Sequence, residues 1–455
     1  MNKIGKLKTY RSKEIEKSYV SIDFCCLDRE LFKPEKCYEL LGKTGIKYAR
    51  CQTGWSKCEK EKGVYTFEWL DSAIENLCNQ GIKPWLSVTY GNPIYMPDSP
   101  NPTSVGCVPL YYGEEVLNAW KNFVTKIVER YKDRVTYYEI WNEPNSPQFW
   151  HPSEPDGAEY AKLVNITAEV IHSVQRDAKI VCNTAGAQAF GFLNDLFDNV
   201  KKENLNVYAY HVYTKVPEFR TIEATAQVRK MLKNKGFCDV EIWQGESGYP
   251  SWAYEGHWLV KEGCDDEIAQ AVYQLRRYFI DVFNGAKLSS YFQMADMWEK
   301  AYEKKSDVIQ KCAAHGILNG LTYTPKKSFE TITNISTIFS GDIKPGDDYM
   351  LVNVDSESPI DLIACRKMTF EKNGIPLYAY YYPSNLSDRI EIPFNSKITI
   401  LRNLETPILI DPMNGDVFEV RSSNCVKYNY GHIEYNLPIK EYPLILTDKK
   451  AFEIV

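Results

Sequence analysis

Two glutamates at the ends of two apolar segments are the residues of this chain best suited to bond-breaking chemistry. Residues 135–145 read as a buried strand that stops at Trp-Asn-Glu-Pro, which places Glu143 directly before a proline. Residues 240–246 also read as a strand and end in Glu246. Proline cannot continue the hydrogen bonding of a strand, so we expect Glu143 at a strand tip. Two facing carboxyls, one protonated and one ionised, are what cleavage of a sugar acetal requires.

The neighbours of Glu143 favour the role of general acid. Asn142 precedes it and is placed to hydrogen-bond a sugar 2-hydroxyl, a contact that strengthens in the transition state. Trp141, Phe149 and Trp150 predict an apolar, aromatic wall beside the carboxyl. Such a wall disfavours the charged form of a carboxyl, which suits proton donation.

Glu246 needs cationic or hydrogen-bonding neighbours to stay ionised as a nucleophile. Arg50 ends the second predicted strand and Tyr213 ends the sixth, so both are candidates. His211 lies on the same strand face as Tyr213 and is predicted to line the site. Asn92, which follows the third predicted strand, is a further candidate for substrate contact.

Aromatic residues make up 13% of the chain, including 32 Tyr and 10 Trp. Aromatic faces stack on the apolar faces of sugar rings, although large barrels and sandwiches are aromatic-rich in any case. Five tryptophans in predicted rim loops are candidates for stacking on sugar: Trp55, Trp150, Trp252, Trp258 and Trp298.

Eight strand–helix units must position these residues. The predicted strands are residues 19–26, 45–51, 84–90, 135–141, 179–183, 206–213, 239–245 and 287–294. The predicted helices are residues 34–41, 67–78, 114–131, 158–175, 192–201, 222–233, 267–283 and 327–339. Alternating strands and helices indicate a parallel sheet, and eight units favour a closed (β/α)8 barrel over residues 19–340. The alternative, a doubly wound open sheet, is disfavoured because no Gly-rich phosphate turn follows the first strand.

The two ends of the chain have a different texture. Residues 1–18 are charged and lack periodicity, so we interpret them as a tail or an edge segment. Residues 341–455 carry short alternating segments separated by turn pairs such as Asp411-Pro412 and Asn414-Gly415. This pattern predicts an accessory antiparallel β-sandwich domain.

Charge and cysteine usage narrow the class of protein. The 455 residues hold 54 Lys and Arg against 60 Asp and Glu, a net charge of −6, which argues against a nucleic-acid partner. No apolar run is long enough to span a membrane. The 13 cysteines are scattered without a C-x-x-C pair, so we predict neither a metal site nor an organic cofactor. Many thiols without a signal peptide predict a cytoplasmic protein, although a trimmed secreted chain would look the same. A homo-oligomer remains an open expectation.

These motifs resemble those of clan A retaining glycoside hydrolases, family 39 in particular. The resemblance rests on Trp-Asn-Glu-Pro-Asn followed by Phe-Trp, on His-Val-Tyr at 211–213, on Glu246 in Trp-Gln-Gly-Glu-Ser-Gly, and on Arg50. The segment 291–299 is similar to the strand-eight segment of that family, which implies that Gln293, Asp296 and Glu299 lie near the sugar. The family contains β-xylosidases and iduronidases.

The sequence therefore predicts a retaining β-glycosidase with Glu143 as acid/base and Glu246 as nucleophile, and a carbohydrate as its partner. Exo action on short oligosaccharides or glycosides is the first expectation. The alternatives are an endo-acting polysaccharide hydrolase, a non-catalytic carbohydrate-binding barrel and a metal-dependent barrel hydrolase. The last is disfavoured because clusters of His and Asp are missing from the sequence.

Overall fold

A closed parallel barrel forms the larger part of the structure. The structure is a computed structural model that describes residues 1–99, 101, 103–219, 221–253, 259–260, 266–297, 314–354, 365–386, 389 and 395–455. After an N-terminal strand, β1 (Asn2–Lys6), the barrel strands follow one another around the closed sheet. They are β2 (Val20–Asp23), β3 (Tyr48–Gln52), β4 (Lys83–Val88), β5 (Tyr137–Ile140), β6 (Lys179–Ala185), β7 (Val207–His211), β8 (Glu241–Ser247) and β9 (Ser289–Tyr291).

Amphipathic helices follow the barrel strands. They are α1 (Tyr38–Lys43), α2 (Trp55–Cys58), α3 (Glu68–Asn79), α4 (Glu114–Tyr131), α5 (Gly157–Val174), α6 (Phe190–Asn199), α7 (Thr221–Asn234), α8 (Glu267–Phe283) and α9 (Lys327–Ile338). In α4 the buried residues recur at three- and four-residue intervals, from Val116 to Tyr131. That spacing forms one apolar helix face, which packs on the barrel.

The amino-terminal half of the barrel interior is filled by apolar side chains. The cluster consists of Trp85, Val181, Val207, Ala209, Trp243 and Leu288. Trp85 and Trp243 meet edge to face with ring centroids 5.5 Å apart. Because this apolar layer fills the lower part of the barrel, the site lies above it, toward the carboxyl ends of the strands.

Two antiparallel sheets form the remainder. The strands after the barrel are β10 (Ile343–Pro345), β11 (Met350–Val354), β12 (Arg366–Lys372), β13 (Ile375–Tyr381), β14 (Asn395–Ile400), β15 (Pro407–Asp411), β16 (Asp416–Glu419), β17 (Cys425–Lys427), β18 (Ile433–Pro438) and β19 (Leu444–Asp448). One sheet has the order β1-β16-β15-β19-β13-β12-β10 and the other the order β11-β14-β18-β17. The N-terminal strand β1 is thus an edge strand of the larger sheet, paired with β16.

A buried ion pair connects the barrel to the larger sheet. Arg276 of α8 donates from Nε to Glu218 Oε1 at 2.7 Å, and the Tyr381 hydroxyl of β13 donates to the same oxygen at 2.6 Å. Arg276 Nη1 also donates to the Ser384 carbonyl at 2.9 Å. Glu218 belongs to the loop that follows β7, so the sandwich is tied directly to a loop at the carboxyl end of the barrel.

The predicted architecture, a (β/α)8 barrel with a C-terminal antiparallel β-sandwich, is confirmed. Most predicted strands are longer than the observed ones, since apolar residues continue past the strand ends, but predicted strand five, residues 179–183, is shorter than β6. Predicted strand four runs to Trp141, whereas β5 ends at Ile140 because Trp141 takes a left-handed φ of 66°. None of the described helices has the length and apolar character needed to cross a bilayer.

Candidate active site

Arg50 of β3 places its guanidinium at the centre of the barrel interior. Its Nη2 and Nε atoms donate to Glu139 Oε2 at 2.5 and 2.9 Å. Its Nη1 donates to Glu246 Oε2 at 2.6 Å and to Asp23 Oδ2 at 3.2 Å. Burial alone would lower the pKa of Arg50, but the carboxylates around it, Glu139 foremost, raise that pKa well above its ordinary value. The guanidinium is therefore a permanent positive charge among acidic groups.

Glu246, near the end of β8, accepts hydrogen bonds on both carboxylate oxygens. Arg50 donates to Oε2 and the Tyr213 hydroxyl donates to Oε1, each at 2.6 Å. Burial and then the Glu246 charge raise the pKa of Tyr213 well above its ordinary value, so its hydroxyl keeps its proton at neutral pH. A cation and a hydroxyl donor together stabilise a carboxylate, the form that a nucleophile needs.

A sharp turn after β5 presents Glu143. Trp141 and Glu143 both have left-handed backbones, with φ of 66° and 46°, which is uncommon for residues with a β-carbon. Asn183 of β6 holds this turn, because its Oδ1 accepts from the Glu143 backbone N–H at 2.7 Å and its Nδ2 donates to the Trp141 carbonyl at 2.9 Å. Strained backbone of this kind is concentrated at functional sites.

His211, the last residue of β7, lies between the acidic groups. Its Nδ1 is 3.0 Å from Glu143 Oε1 and 3.8 Å from Glu246 Oε2, and its Nε2 is 3.5 Å from Glu139 Oε1. Burial alone would lower the pKa of His211, but its interactions with these carboxylates raise it to about 10. The imidazole is therefore protonated at neutral pH, and Nδ1–H donates to Glu143.

Asn142 is oriented by the same guanidinium. Arg50 Nη2 donates to Asn142 Oδ1 at 2.8 Å, which directs the amide NH2 of Asn142 away from the arginine. Within the described part of the chain this NH2 has no partner. Asn142 is therefore free to donate one hydrogen bond to a ligand.

The carboxyl groups of Glu143 and Glu246 lie side by side. One oxygen of each, together with a ring nitrogen of His211, all lie within 4.8 Å of one another. The two side chains remain 15% and 13% exposed, so a ligand can reach both. Carboxyl groups about 5–5.5 Å apart suit attack by one of them on a sugar, whereas about 6.5–9.5 Å leaves room for an intervening water. The short separation fits the first arrangement.

The same three residues are a possible set of metal ligands, which the spacing in the sequence does not reveal. Carboxylates and imidazoles bind Zn2+. However, Arg50 lies 2.6 Å from Glu246, and the His211 imidazole is itself charged at neutral pH. Two positive groups at this distance oppose the binding of a further cation.

Two predicted substrate-binding residues are buried and hydrogen-bonded within the protein. Asn92 is fully buried and its amide donates to the Glu59 carbonyl at 2.7 Å. Trp150 is also fully buried, and its indole N–H donates to the Tyr111 hydroxyl at 3.1 Å. Trp141 and Trp150 of the expected aromatic wall therefore belong to the core, whereas Phe149 is half-buried. Trp55 is likewise buried, stacked on Phe123 at 5.7 Å, so it cannot stack on sugar.

The remaining predictions concern the loop after β8 and the segment after β9. Gln293 is fully buried, and among the described residues neither amide atom of its side chain has a partner. Asp296 is committed to an ion pair with Lys326 at 2.7 Å. Trp252 is half-buried. The predicted residues Trp258, Trp298 and Glu299 lie outside the described residues.

Some residues of the site escaped the sequence analysis. Asp23, at the end of β2, faces Arg50 and accepts from the Ser290 hydroxyl at 2.8 Å, and burial raises the pKa of Asp23 to about 7. Asp23 lies inside the predicted first strand, residues 19–26, so no strand-end signal marked it. His315 packs edge to face on Tyr213 with ring centroids 6.1 Å apart. It lies in a loop far along the chain, where no sequence pattern indicates the contact.

Two acids at the ends of different strands face each other across the mouth of a (β/α)8 barrel. This arrangement is typical of barrel enzymes that act through a pair of carboxyl groups. The sequence comparison then gives the family. The model for glycosyl hydrolases family 39 matches residues 35–368, most of the chain. The chain belongs to this family, and the resemblance seen in its motifs is confirmed.

Individual relatives are distant. A β-xylosidase of Geobacillus stearothermophilus is 24% identical over 180 residues, which cover 36% of this chain and 33% of that protein, so the match spans about a third of the relative. A family 39 enzyme from Xanthomonas axonopodis pv. citri has a similar structure, with a TM-score of 0.58, 14% identity and 95% of each chain covered. A family 30 endoxylanase from Clostridium papyrosolvens C71 has a TM-score of 0.60 at 12% identity, with 98% of each chain covered. At such identities, structural likeness shows the fold alone.

Proposed function

We propose that this protein is a retaining β-glycosidase, with Glu143 as acid/base and Glu246 as nucleophile. The observation that supports the proposal is the pair of carboxyl groups whose oxygens approach within 4.8 Å at the ends of β5 and β8. The donors around Glu246 support its assignment as the nucleophile. Glu246 accepts from a guanidinium and a hydroxyl, whereas the hydrogen-bond partner of the Glu143 side chain is His211.

The proposed reaction has two steps. A Glu246 oxygen attacks the anomeric carbon while Glu143 gives a proton to the departing glycosidic oxygen, so that the carbon–oxygen bond breaks and a glycosyl ester forms. Glu143, now ionised, then takes a proton from water, which attacks the same carbon and releases Glu246. His211 contacts Glu143 at 3.0 Å and holds a proton next to it. Asn142 is placed to bind the 2-hydroxyl.

The proposed substrates are short β-glycosides cleaved from one end, with β-xylosides as the first to test because one relative carries the name β-xylosidase. A panel of nitrophenyl glycosides, assayed with the wild type and with Glu143→Gln and Glu246→Gln, tests the proposal. Release of monosaccharide alone from xylo-oligosaccharides supports exo action, and longer fragments support endo action. A chain that binds sugar but turns over none of the panel would be a carbohydrate-binding barrel.

The substitution Glu143→Gln is expected to separate substrates by their leaving group. Without the acid, kcat/KM for an unactivated xylobioside should fall by about 10²–10⁴-fold. A dinitrophenyl xyloside, whose leaving group needs no proton, should lose far less kcat/KM. Steady-state kinetics on both substrates measure the difference.

The matched control for that experiment is Glu241→Gln, which changes a glutamate at the opposite end of β8. Its carboxylate accepts from the Trp243 indole at 2.8 Å, away from the two acids. This variant should keep wild-type rates on both substrates. An equal loss on both substrates in Glu143→Gln would contradict the role of Glu143 as the acid.

Removal of metal is expected to leave the activity unchanged. Arg50 and the protonated His211 already supply the positive charge around Glu246, so catalysis should not depend on a cation. Rates on nitrophenyl xyloside before and after dialysis against EDTA check this. If EDTA removes the activity and Zn2+ restores it, the cluster of Glu143, His211 and Glu246 is a metal site and the two-glutamate mechanism is wrong.

A further inference from the structure

Aromatic side chains form a row across one end of the four-stranded sheet. The strand register can be continued by one residue beyond the end of each strand. This brings four residues into one row, from β11, β14, β18 and β17 in that order: Tyr349, Leu401, His432 and Tyr428. The Tyr428 backbone N–H donates to the His432 carbonyl at 2.9 Å, which fixes the last of these pairs. Met350 and Ile433, the next residues along their strands, are buried. By alternation the row therefore faces outward.

The rings of this row contact one another. Tyr349 stacks on His432 with centroids 5.7 Å apart, and Tyr428 stacks on Tyr430 at 5.3 Å. Tyr430 meets His432 edge to face at 4.8 Å, which joins the two pairs into one cluster. Tyr430 nevertheless stays 69% exposed. These contacts hold the rings in place while leaving aromatic surface open to solvent.

Exposed aliphatic side chains extend the cluster. Leu351 and Val426 lie on the same face one row further along the strands, and with Tyr349 and Leu401 they are between 37% and 51% exposed. The other sheet packs against the barrel, where Phe370 of β12 meets Phe279 of α8 at 5.9 Å. The four-stranded sheet is thus the outer layer of the sandwich. We call the seven residues the outer aromatic face: Tyr349, Leu351, Leu401, Val426, Tyr428, Tyr430 and His432.

An apolar face of this kind on an outer layer indicates a binding surface. We propose that the outer aromatic face is a second carbohydrate site, which binds a β-linked polysaccharide chain away from the catalytic carboxyls. The choice of a β-linked ligand rests on the proposed cleavage of β-glycosidic bonds. Tyrosine rings with a polar edge suit the apolar faces and hydroxyls of sugars. Four strands at about 4.8 Å spacing span about 14 Å, long enough for more than one sugar ring.

Other occupants fit this surface less well. Glu434 lies on the same face as Val426, and Arg402, next to Leu401, is paired with Asp348 at 3.0 Å. The described residues around the rings therefore form no basic patch that would attract nucleic acid. Seven residues are also far fewer than the about 20–30 residues per partner of a stable protein interface. An aromatic surface without net charge is therefore best suited to bind a neutral polysaccharide.

Native gel electrophoresis through soluble xylan tests the proposal. The full chain carrying Glu246→Gln, which does not digest the gel, should migrate more slowly with xylan than without it. Adding Tyr349→Ala and Tyr430→Ala should weaken the apparent affinity at least fivefold. Tyr430→Phe keeps the ring and should retain retardation. Val64→Ala removes an exposed apolar side chain of the barrel and should change nothing.

The second site and the proposed catalytic function are distinguished by hydrolysis of nitrophenyl xyloside. This rate is measured separately, on proteins that keep Glu246. Tyr349→Ala with Tyr430→Ala should leave that rate unchanged, because the small substrate needs only the barrel. Equal retardation with and without the two tyrosines overturns the second site, whatever the activity. If neither xylan nor hydroxyethylcellulose in the gel retards the protein, the second site is overturned too. If size-exclusion chromatography shows a dimer that Tyr430→Ala dissociates, the face binds a second copy of the chain instead.

Discussion

Replacing Glu246 by glycine is expected to lower kcat on nitrophenyl β-xyloside by more than about 10⁴-fold, because no other group takes the place of a lost nucleophile. Arg50 Nη1 and the Tyr213 hydroxyl each donate to an oxygen of Glu246 at 2.6 Å, and Arg50 Nη1 also donates to Asp23. Removing the Glu246 carboxylate opens a space beside Arg50 that a small anion can occupy. The barrel itself should remain folded, since β8 keeps its backbone pairing with β7 and β9.

Azide supplies the diagnostic part of this experiment. Added azide should enter that space in Glu246→Gly, attack the anomeric carbon and restore turnover. The product should be a glycosyl azide with inverted anomeric configuration, which NMR identifies. Glu241→Gly serves as the control on the same strand and should neither lose activity nor form the azide. If Glu246→Gly instead formed a glycosyl azide with retained configuration, Glu246 would be the acid/base and Glu143 the nucleophile.

The helices show how far local sequence determines this fold. The predicted bounds of α4 and α8, residues 114–131 and 267–283, agree with the structure. In α8 the side chain of Asp266 accepts from two backbone N–H groups, so the start of the helix is encoded in adjacent residues. Strand ends are less predictable, because the left-handed turn at Trp141 depends on Asn183 of a neighbouring strand.

The two catalytic candidates could be predicted because barrel topology gathers strand ends at one place. Asn92 and Trp150 could not be assigned from sequence, since a polar or aromatic residue after a strand serves packing as readily as ligand binding. The hydrogen-bond partner in the folded protein decides between packing and ligand binding. That partner is the Glu59 carbonyl for Asn92 and the Tyr111 hydroxyl for Trp150. The contact of His315 with Tyr213 likewise depends on a loop more than 100 residues from its partner in sequence.

The network around Arg50 connects the stability of the barrel with its chemistry. Glu139, inside β5, is fully buried, and although burial alone would raise its pKa, Arg50 and then His211 lower it. Burial raises the pKa of Asp23 to about 7 in spite of the same arginine. One guanidinium thus limits how many protons the buried acids take up. It also holds Asn142 and Glu246 with separate N–H groups, which a lysine cannot reproduce.

Arg50→Met is therefore expected to lower the free energy of unfolding by about 3–5 kcal/mol, because it leaves buried carboxylates without their cation. The loss should grow as pH rises. Without Arg50 the folded-state pKa of Asp23 rises further above its unfolded value, and that of Glu139 is no longer held below its ordinary value, so the folded state binds more protons. Stability then falls with increasing pH from about 4 through 7 and beyond, the window that Asp23 already marks. Urea unfolding at pH 5 and pH 8 measures both effects.

Arg50→Lys and Arg276→Met separate the charge from the geometry. Lysine keeps the positive charge and should recover part of the stability, but a single ammonium cannot serve Glu139, Asn142 and Glu246 together, so kcat should stay low. Arg276→Met breaks the buried pair with Glu218 at the sandwich, which should also cost stability while leaving kcat per folded molecule unchanged. If Arg50→Lys instead restored the full rate, charge alone would be sufficient. The directed hydrogen bonds from Arg50 to Asn142 and Glu246 would then have no catalytic role.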